Sequence, residues 1–221
     1  MSSSSLRISL AIHHCRRNLD PLILGAWGND LIRAINGRIL KGFPRSFVHH
    51  RDMGMSVGLL KYYARRCMEE LVIFPDMDFL AYTSSLPPAL PTFFTPLICF
   101  GGRSEYAVSS SSIAAIGEGV AGFIAENVYD IMLICRPIGI SPDLLGVDKN
   151  GIYYFIEAKA TTSRDNLLTA LRGAVKTLIE IIKSELSAGH ISRNKIAGMA
   201  VITYLESVNR FVSYVLELMV V

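Results

Sequence analysis

The chain has 221 residues, of which 51% are hydrophobic and 19% are charged, and its formal net charge is +3. This composition excludes an intrinsically disordered chain, and the length is sufficient for one large core or for a core with a small appended domain. Such a small positive excess gives little non-specific attraction to nucleic acid, so the overall charge neither supports nor excludes that partner.

The cysteines and the apolar segments limit where the protein is expected to act. The four cysteines, Cys15, Cys67, Cys99 and Cys135, form no CxxC pair, which argues against a zinc site or a disulfide scaffold. Near the N-terminus the positive charge follows a short apolar run, which is the wrong order for a secretory signal, and no apolar stretch reaches the roughly 18 residues of a membrane span. We therefore expect a cytoplasmic protein without a membrane segment.

Residues 1–96 are predicted to form a mostly helical region of unknown role. Pro21 suits the first turn of one helix, and an amphipathic helix is expected over residues 57–70. Prolines between residues 85 and 96 interrupt regular structure and predict a linker, so residues 97–221 are expected to form a second unit.

A basic stretch between Arg33 and Arg51 is predicted to be a solvated surface loop, although it could also contact phosphates. It contains His49-His50, but adjacent histidines rarely converge on one metal ion without a distant third ligand. A metal site is therefore not predicted there.

Charged residues stand at the ends of two consecutive predicted strands in the second half of the chain. Asp143 opens the first strand, and Glu157 and Lys159 end the second, which is almost continuously apolar and aromatic over residues 152–156, as in a strand covered on both faces. Side chains alternate along a strand, so Glu157 and Lys159 share a face. Asn-Gly at residues 150–151 readily takes the positive φ of a tight turn. We therefore predict that two carboxylates and one ammonium converge at a sheet edge.

This set of groups suits phosphodiester hydrolysis assisted by a divalent ion. Two carboxylates can hold a hard ion such as Mg²⁺, which keeps several waters and accepts phosphate oxygens. The ion can polarise the phosphodiester and make a bound water more acidic. Lys159 could orient that water or neutralise charge that grows on the phosphorus centre. The alternative is a structural ion pair of Glu157 with Lys159 beside an acidic turn residue.

At these positions the sequence resembles the PD-(D/E)xK nucleases, the restriction-endonuclease-like superfamily. The matching residues are Pro142-Asp143 and Glu157-Ala158-Lys159, and the resemblance covers roughly the second half of the chain. It implies that Asp143 and Glu157 are metal ligands, with the Ala158 carbonyl as a third, and that Lys159 is the catalytic lysine. It also implies Mg²⁺ as the cofactor, with Mn²⁺ as a substitute, and DNA as the partner.

In that superfamily a glutamate from the helix before the first core strand often joins the metal site. Apolar residues recur at helical spacing from Ile113 to Phe123 and predict such a helix. Glu118 lies on a different side of it, among small residues that would allow another backbone to approach closely. Glu118 is therefore the expected additional catalytic and metal-binding residue, with Glu126 in reserve. An ordinary solvated position is the alternative for either glutamate.

The expected fold is α/β, with a restriction-endonuclease-like core whose mixed central sheet is flanked by helices. Its elements are expected in the order helix, strand, strand, strand, helix, strand over about residues 111–204, with Thr161-Thr162-Ser163 capping the second helix and Gly189 ending it. The expected function is Mg²⁺-dependent hydrolysis of DNA, and the high apolar content would also suit a homodimer.

Two alternatives to a nuclease stay open. A non-catalytic nucleic-acid-binding or assembly protein could keep the nuclease fold. An enzyme acting on a small molecule is less favoured, because the sequence has no glycine-rich phosphate loop.

Overall fold

The computed structural model describes residues 7–67, 110–137, 142–189, 191–207 and 209–221. Within these ranges the chain forms a mixed seven-stranded sheet with helices on both faces. The strands are, in chain order, β1 (Arg7–Leu19), β2 (Val48–Ser56), β3 (Met132–Cys135), β4 (Leu144–Val147), β5 (Tyr153–Thr161), β6 (Ile196–Ser207) and β7 (Arg210–Val220).

The helices differ widely in length, and the two longest flank the centre of the sheet. They are α1 (Pro21–Gly25), α2 (Gly28–Ala34), α3 (Val57–Cys67), α4 (Ser110–Val128) and α5 (Leu167–Ala188), with a π-helical segment at Ile35–Ile39. The end of α5 at Gly189 is confirmed, and this glycine takes the left-handed conformation, with φ of 71°, that commonly ends a helix. Within the described ranges, none of the helices combines the length and apolarity needed to cross a membrane.

The strands lie in the order β2-β1-β7-β6-β5-β4-β3. Antiparallel pairing joins β3, β4 and β5, whereas β6 lies parallel to β5 because α5 carries the chain back across the sheet. The remaining pairs are β6 with β7 (antiparallel), β7 with β1 (parallel) and β1 with β2 (antiparallel). The predicted order of helix, three strands, helix and strand is therefore found from α4 to β6.

The sheet separates two hydrophobic cores because its central strands are apolar on both faces. In β6, Met199 and Val201 pack into the core that contains α4, and Ala200 and Ile202 pack into the core that contains α5. This explains the near-continuous apolar sequence of β6, which is typical of a strand covered on both sides. The predicted mixed α/β class is confirmed.

The prediction of a mostly helical N-terminal region is wrong. β1 and β2 are strands that extend the sheet beyond β7, and β2 includes His49 and His50, which were expected in a loop. In β1 the buried Ile8, Leu10 and Ile12 alternate with more exposed residues, which is the period of a strand. The predicted linker and domain boundary near residue 96 lie outside the described residues.

The predicted cap of α5 is also wrong. Thr161 is the last residue of β5, and its hydroxyl accepts a hydrogen bond of 3.0 Å from the Ser163 N–H. A 3₁₀ turn at Arg164–Asn166 follows, so α5 begins later, at Leu167, with Asn166 at its N-cap. The hydroxyl residues therefore shape the turn between β5 and the helix.

A buried glutamate links β1 to β7. Glu217 is 1% exposed and accepts hydrogen bonds of 2.8 Å from His14 Nε2 and from Arg16 Nη2, and Arg16 lies opposite it in the parallel ladder. The Tyr154 hydroxyl of β5 donates to the other carboxylate oxygen at 3.5 Å. Burial alone would raise the pKa of Glu217, but the bonds from His14 and Arg16 together outweigh it and lower the pKa.

Replacing Glu217 with Gln is expected to reduce the free energy of unfolding at neutral pH by about 1–3 kcal/mol, because His14 and Arg16 lose a charged partner. The folded pKa of Glu217 lies below its unfolded value of about 4.3, so its contribution is present above that pH and is lost as pH falls through the folded value. Urea unfolding of both proteins at neutral and acidic pH measures the difference, which should shrink in acid. Glu180→Gln is the control, since its exposed pair with Lys176 contributes little. A Glu217→Gln protein as stable as the control would contradict the prediction.

Candidate functional site

A tight turn between β4 and β5 sets the register of the site. The Asp148 carboxylate accepts hydrogen bonds from the backbone N–H groups of Asn150, at 2.8 Å, and Ile152, at 2.9 Å. Gly151 takes a φ of 72°, which a side chain would disfavour. The predicted Asn-Gly turn is therefore confirmed, and it fixes which residues of the two strands face each other.

The ladder between β4 and β5 ends where the site begins. Its last pair is Leu144 with Ile156, and two residues further the same register sets Pro142 opposite Ala158. Proline has no N–H, so it cannot donate to the Ala158 carbonyl across this ladder. The Ala158 N–H donates a hydrogen bond of 2.7 Å to Asp143 Oδ2, a side-chain acceptor. Because the N–H and C=O of one strand residue point to the same edge, the Ala158 carbonyl also faces the β4 side.

Lys159 lies between the two carboxylates of the motif. Its Nζ is 3.5 Å from Asp143 Oδ2 and 3.2 Å from Glu157 Oε2. The Glu157 side chain is only 4% exposed, whereas 45% of the Lys159 side chain is accessible to solvent. The predicted convergence of two carboxylates and one ammonium is found, while the catalytic and metal-binding roles of these residues stay predictions.

Burial and mutual interaction change the ionisation of this group. Burial raises the pKa of Glu157 to about 7, and the nearby charge of Asp143 also raises it. The charges of Lys159 and Arg136 act to lower it. For Lys159, burial acts to lower the pKa, but Asp143 and Glu157 outweigh it and the pKa is raised. Lys159 therefore keeps its proton at neutral pH, where Glu157 is close to its titration midpoint.

Glu118 is not brought to the Lys159 ammonium. It lies on α4, which packs on the sheet face that carries Ile156 and Ala158. Glu157 and Lys159 alternate with these residues along β5 and therefore point to the opposite face. Its carboxylate instead forms an ion pair with the Arg136 guanidinium, and the two side chains are 13% and 14% exposed, respectively. Burial raises the pKa of Glu118 to about 7, with opposing contributions from Arg136, which lowers it, and Asp143, which raises it.

Sequence reasoning missed Arg136. It directly follows β3, and its only signal in the sequence is a basic residue at the end of a strand that pairs with β4. The reserve residue Glu126 contacts α3 instead, because it pairs with Arg66 at 2.7 Å and accepts a hydrogen bond of 3.0 Å from the Tyr63 hydroxyl.

Two glycines position Glu118 by allowing close contacts on either side of it. A Cβ at Gly117 would lie 2.9 Å from the Ala160 Cβ of β5 and 3.1 Å from the Ala160 nitrogen. A Cβ at Gly119 would lie 2.7 Å from the backbone nitrogen of Ala64 in α3. Another backbone does approach beside Glu118, but at Gly117 and Gly119 and not at the expected small residues Ala115, Ala121, Gly122 and Ala125; at Gly122 the nearest atoms belong to side chains.

The donor atoms around Lys159 fit a hard divalent ion. Asp143 and Glu157 each direct a carboxylate oxygen at one cation, the Lys159 ammonium, and the Ala158 carbonyl faces the Asp143 side of β5. Oxygen ligands of this kind are the ones that Mg²⁺ prefers, and it completes its shell with water or phosphate. Over the described ranges, no cluster of three or more His, Cys, Asp or Glu side chains is arranged to hold a metal ion. The fit therefore involves two carboxylates, without Glu118.

Comparison with known proteins identifies no relative of this chain. No protein-family model matches the sequence, and no curated protein or solved structure shows significant similarity to it. The geometry around Lys159 and the sequence motif are therefore the basis for a functional proposal.

Glu157→Gln is expected to weaken the pH dependence of stability. The folded pKa of Glu157, about 7, lies above the unfolded value of about 4.3, so the folded protein holds this proton more tightly than the unfolded chain does. The resulting contribution to the free energy of unfolding is fully present below the unfolded pKa. It is lost as pH rises through about 7. Urea unfolding with a chelator between about pH 5 and about pH 8 should show a shallower decline for Glu157→Gln than for wild type. Glu118, whose pKa is also about 7, contributes a decline of the same sign in both proteins. Identical slopes for the two proteins would contradict this account.

Gly117→Ala is expected to destabilise the protein by about 1–3 kcal/mol, because the added methyl group meets the backbone of β5. Gly173→Ala in α5 is the matched control. A Cβ there has nothing within 4 Å, so the change should stabilise by up to about 1 kcal/mol through helix propensity. Thermal and urea unfolding measure both effects, and equal stabilisation by the two substitutions would refute the close contact of α4 with β5.

Proposed function

We propose that this protein is a metal-dependent nuclease that hydrolyses DNA phosphodiester bonds and has a restriction-endonuclease-like core. The observation that carries the proposal is the position of Lys159 Nζ, 3.5 Å from Asp143 and 3.2 Å from Glu157. The order of elements from α4 to β6 supports it, because the same order is expected for that core.

In this proposal Asp143 and Glu157 hold Mg²⁺, together with the Ala158 carbonyl, and Mn²⁺ could replace it. The ion would polarise the phosphodiester and make a bound water more acidic. The hydrogen bond from the Ala158 N–H keeps the Asp143 carboxylate directed at the site. Because Glu157 has a pKa of about 7, it must lose a proton to bind the ion, and metal affinity should therefore increase as pH rises through that value.

Lys159 acts as a cation in this proposal. Its pKa is raised by the two carboxylates, so it keeps its charge at neutral pH and is a poor proton acceptor. It orients the attacking water and stabilises the negative charge that grows on the phosphate oxygens. Its side chain is 45% exposed, which leaves it accessible to a substrate that approaches the sheet edge.

The alternative is a nucleic-acid-binding or assembly protein that keeps this fold without catalysis. The ion pairs favour it: Lys159 contacts both Asp143 and Glu157, and Arg136 pairs with Glu118, so two cations offset two of the three acidic charges without any metal. Such pairs can be purely structural. The predicted homodimer would suit this alternative equally well and stays a prediction.

Cleavage of a panel of linear duplex, circular, single-stranded and branched DNA tests the proposal, with Mg²⁺, Mn²⁺ or chelator. Asp143→Asn and Lys159→Ala are each expected to reduce metal-dependent cleavage by at least about a hundredfold, because one loses a metal ligand and the other the cation at the phosphate. Gel analysis of the products measures the rate.

Two matched variants control for the loss of charge alone. Asp30→Asn removes an exposed carboxylate that pairs with Arg33, and Lys176→Ala removes an exposed ammonium that pairs with Glu180. Both should cleave at the wild-type rate. Cleavage that survives in Asp143→Asn and Lys159→Ala would overturn the assigned site, whereas a wild-type protein that binds DNA without cutting any substrate would favour the non-catalytic alternative.

A further inference from the structure

Arg136 connects three parts of the structure at the edge of the site. From its position after β3, its Nη1 donates to the Glu118 carboxylate and to the backbone carbonyl of Cys67, at the end of α3. Its Nη2 lies 3.5 Å from the other oxygen of Glu118. Both side chains of the ion pair are largely withdrawn from solvent. A charge-assisted pair of this kind is strong, and either charge would be costly to leave there alone.

This ion pair interacts electrostatically with the group around Lys159. The charges of Asp143 and Lys159 both shift the pKa of Glu118, and the charge of Arg136 shifts the pKa of Glu157. The backbones that carry the two groups are also in contact, since a Cβ at Gly117, next to Glu118, would lie 3.2 Å from the carbonyl carbon of Lys159. Arg136 is therefore a neighbour of the proposed metal site and not a remote surface residue.

The charge balance of the combined group changes sign when a divalent ion binds. Three carboxylates, those of Glu118, Asp143 and Glu157, face the two cations Arg136 and Lys159, which leaves one negative charge when every group is ionised. A divalent ion would convert this to one positive charge. One phosphodiester group would then restore neutrality, so binding of the ion favours binding of the substrate.

We propose that Arg136 is a positioning residue that withholds Glu118 from the metal site until a phosphodiester binds. This inference rests on the proposed nuclease function. A guanidinium binds phosphate with the same fork of N–H donors that it offers to a carboxylate, so a substrate phosphate competes with Glu118 for Arg136. Once Arg136 is engaged by phosphate, the buried Glu118 carboxylate needs another cation, and the divalent ion at Asp143 and Glu157 supplies it.

The packing of α4 is consistent with an exchange of side-chain partners. Gly117 and Gly119 are in close contact with β5 and α3 on either side of Glu118, which fixes the helix backbone. The exchange therefore involves the Glu118 and Arg136 side chains and leaves the position of α4 unchanged. Substrate binding would in this way add a third carboxylate to an ion held by two.

Mn²⁺ binding, measured by electron paramagnetic resonance, tests this coupling without relying on cleavage. In the absence of DNA, Arg136→Gln is expected to lower the Kd for Mn²⁺ by about tenfold, because Glu118 is released and becomes a ligand. Glu118→Gln should not lower the DNA-free Kd, and adding Arg136→Gln to it should give no comparable gain, because the ligand that Arg136 would release is then absent. Addition of a duplex with uncleavable phosphorothioate linkages should tighten Mn²⁺ binding in wild type and not in either single variant, after subtraction of Mn²⁺ bound by the duplex alone.

Each result bears on a distinct part of the inference. Equal DNA-free Kd values for wild type and folded Arg136→Gln, as judged by circular dichroism, would overturn the role of Arg136 and leave the nuclease proposal intact. If Arg136→Gln does not fold, Glu118→Gln tests the inference. The inference is overturned if DNA tightens Mn²⁺ binding to Glu118→Gln as much as it does to wild type. A wild-type protein that binds no Mn²⁺ would overturn both proposals, and the cleavage panel would then show no metal-dependent cutting.

Discussion

The hydrogen bond from the Ala158 N–H to the Asp143 carboxylate is the contact on which the site depends. It lies just beyond the ladder of β4 and β5, whose last pair is Leu144 with Ile156, so the acceptor for the Ala158 N–H is a side-chain oxygen and not a carbonyl of β4. A side chain therefore takes over the pairing of the main chain and is held at the end of the sheet. The same contact directs one carboxylate toward Lys159, so the end of a secondary-structure element and the start of a chemical site are one feature.

The sequence reveals this part of the fold because its signals are local. The Asn-Gly turn, the apolar run of β5 and the alternation that sets Glu157 beside Lys159 all lie within about twenty residues, and the structure reproduces each of them. The placement of Glu118 is less accessible to such reasoning. Its partner Arg136 follows β3, an element that the spacing of residues along α4 does not specify. Helical spacing identifies the face of Glu118 but not its counterion.

The N-terminal region shows the limit of local patterns more clearly. Alternation of apolar and polar residues in β1 is visible in the sequence, yet a single such run without a recognisable partner is ambiguous. Its parallel partner β7 lies at the far end of the described chain. The buried Glu217 that joins the two strands is, in the sequence around it, a single acidic residue in an apolar segment. Burial of that charge is stable only because His14 and Arg16, about two hundred positions earlier, are available to pair with it.

The position of β7 between β1 and β6 has a consequence for synthesis on the ribosome. His14 and Glu217 are 203 residues apart, so β1 and β2 leave the ribosome long before the strand that joins them to the rest of the sheet. Until β7 emerges, β1 has an unpaired edge next to an apolar face, which is the surface that promotes association with other nascent chains. β7, which joins β1 to β6, is therefore translated last of these three strands, and the edge of β1 that it covers stays unpaired until then.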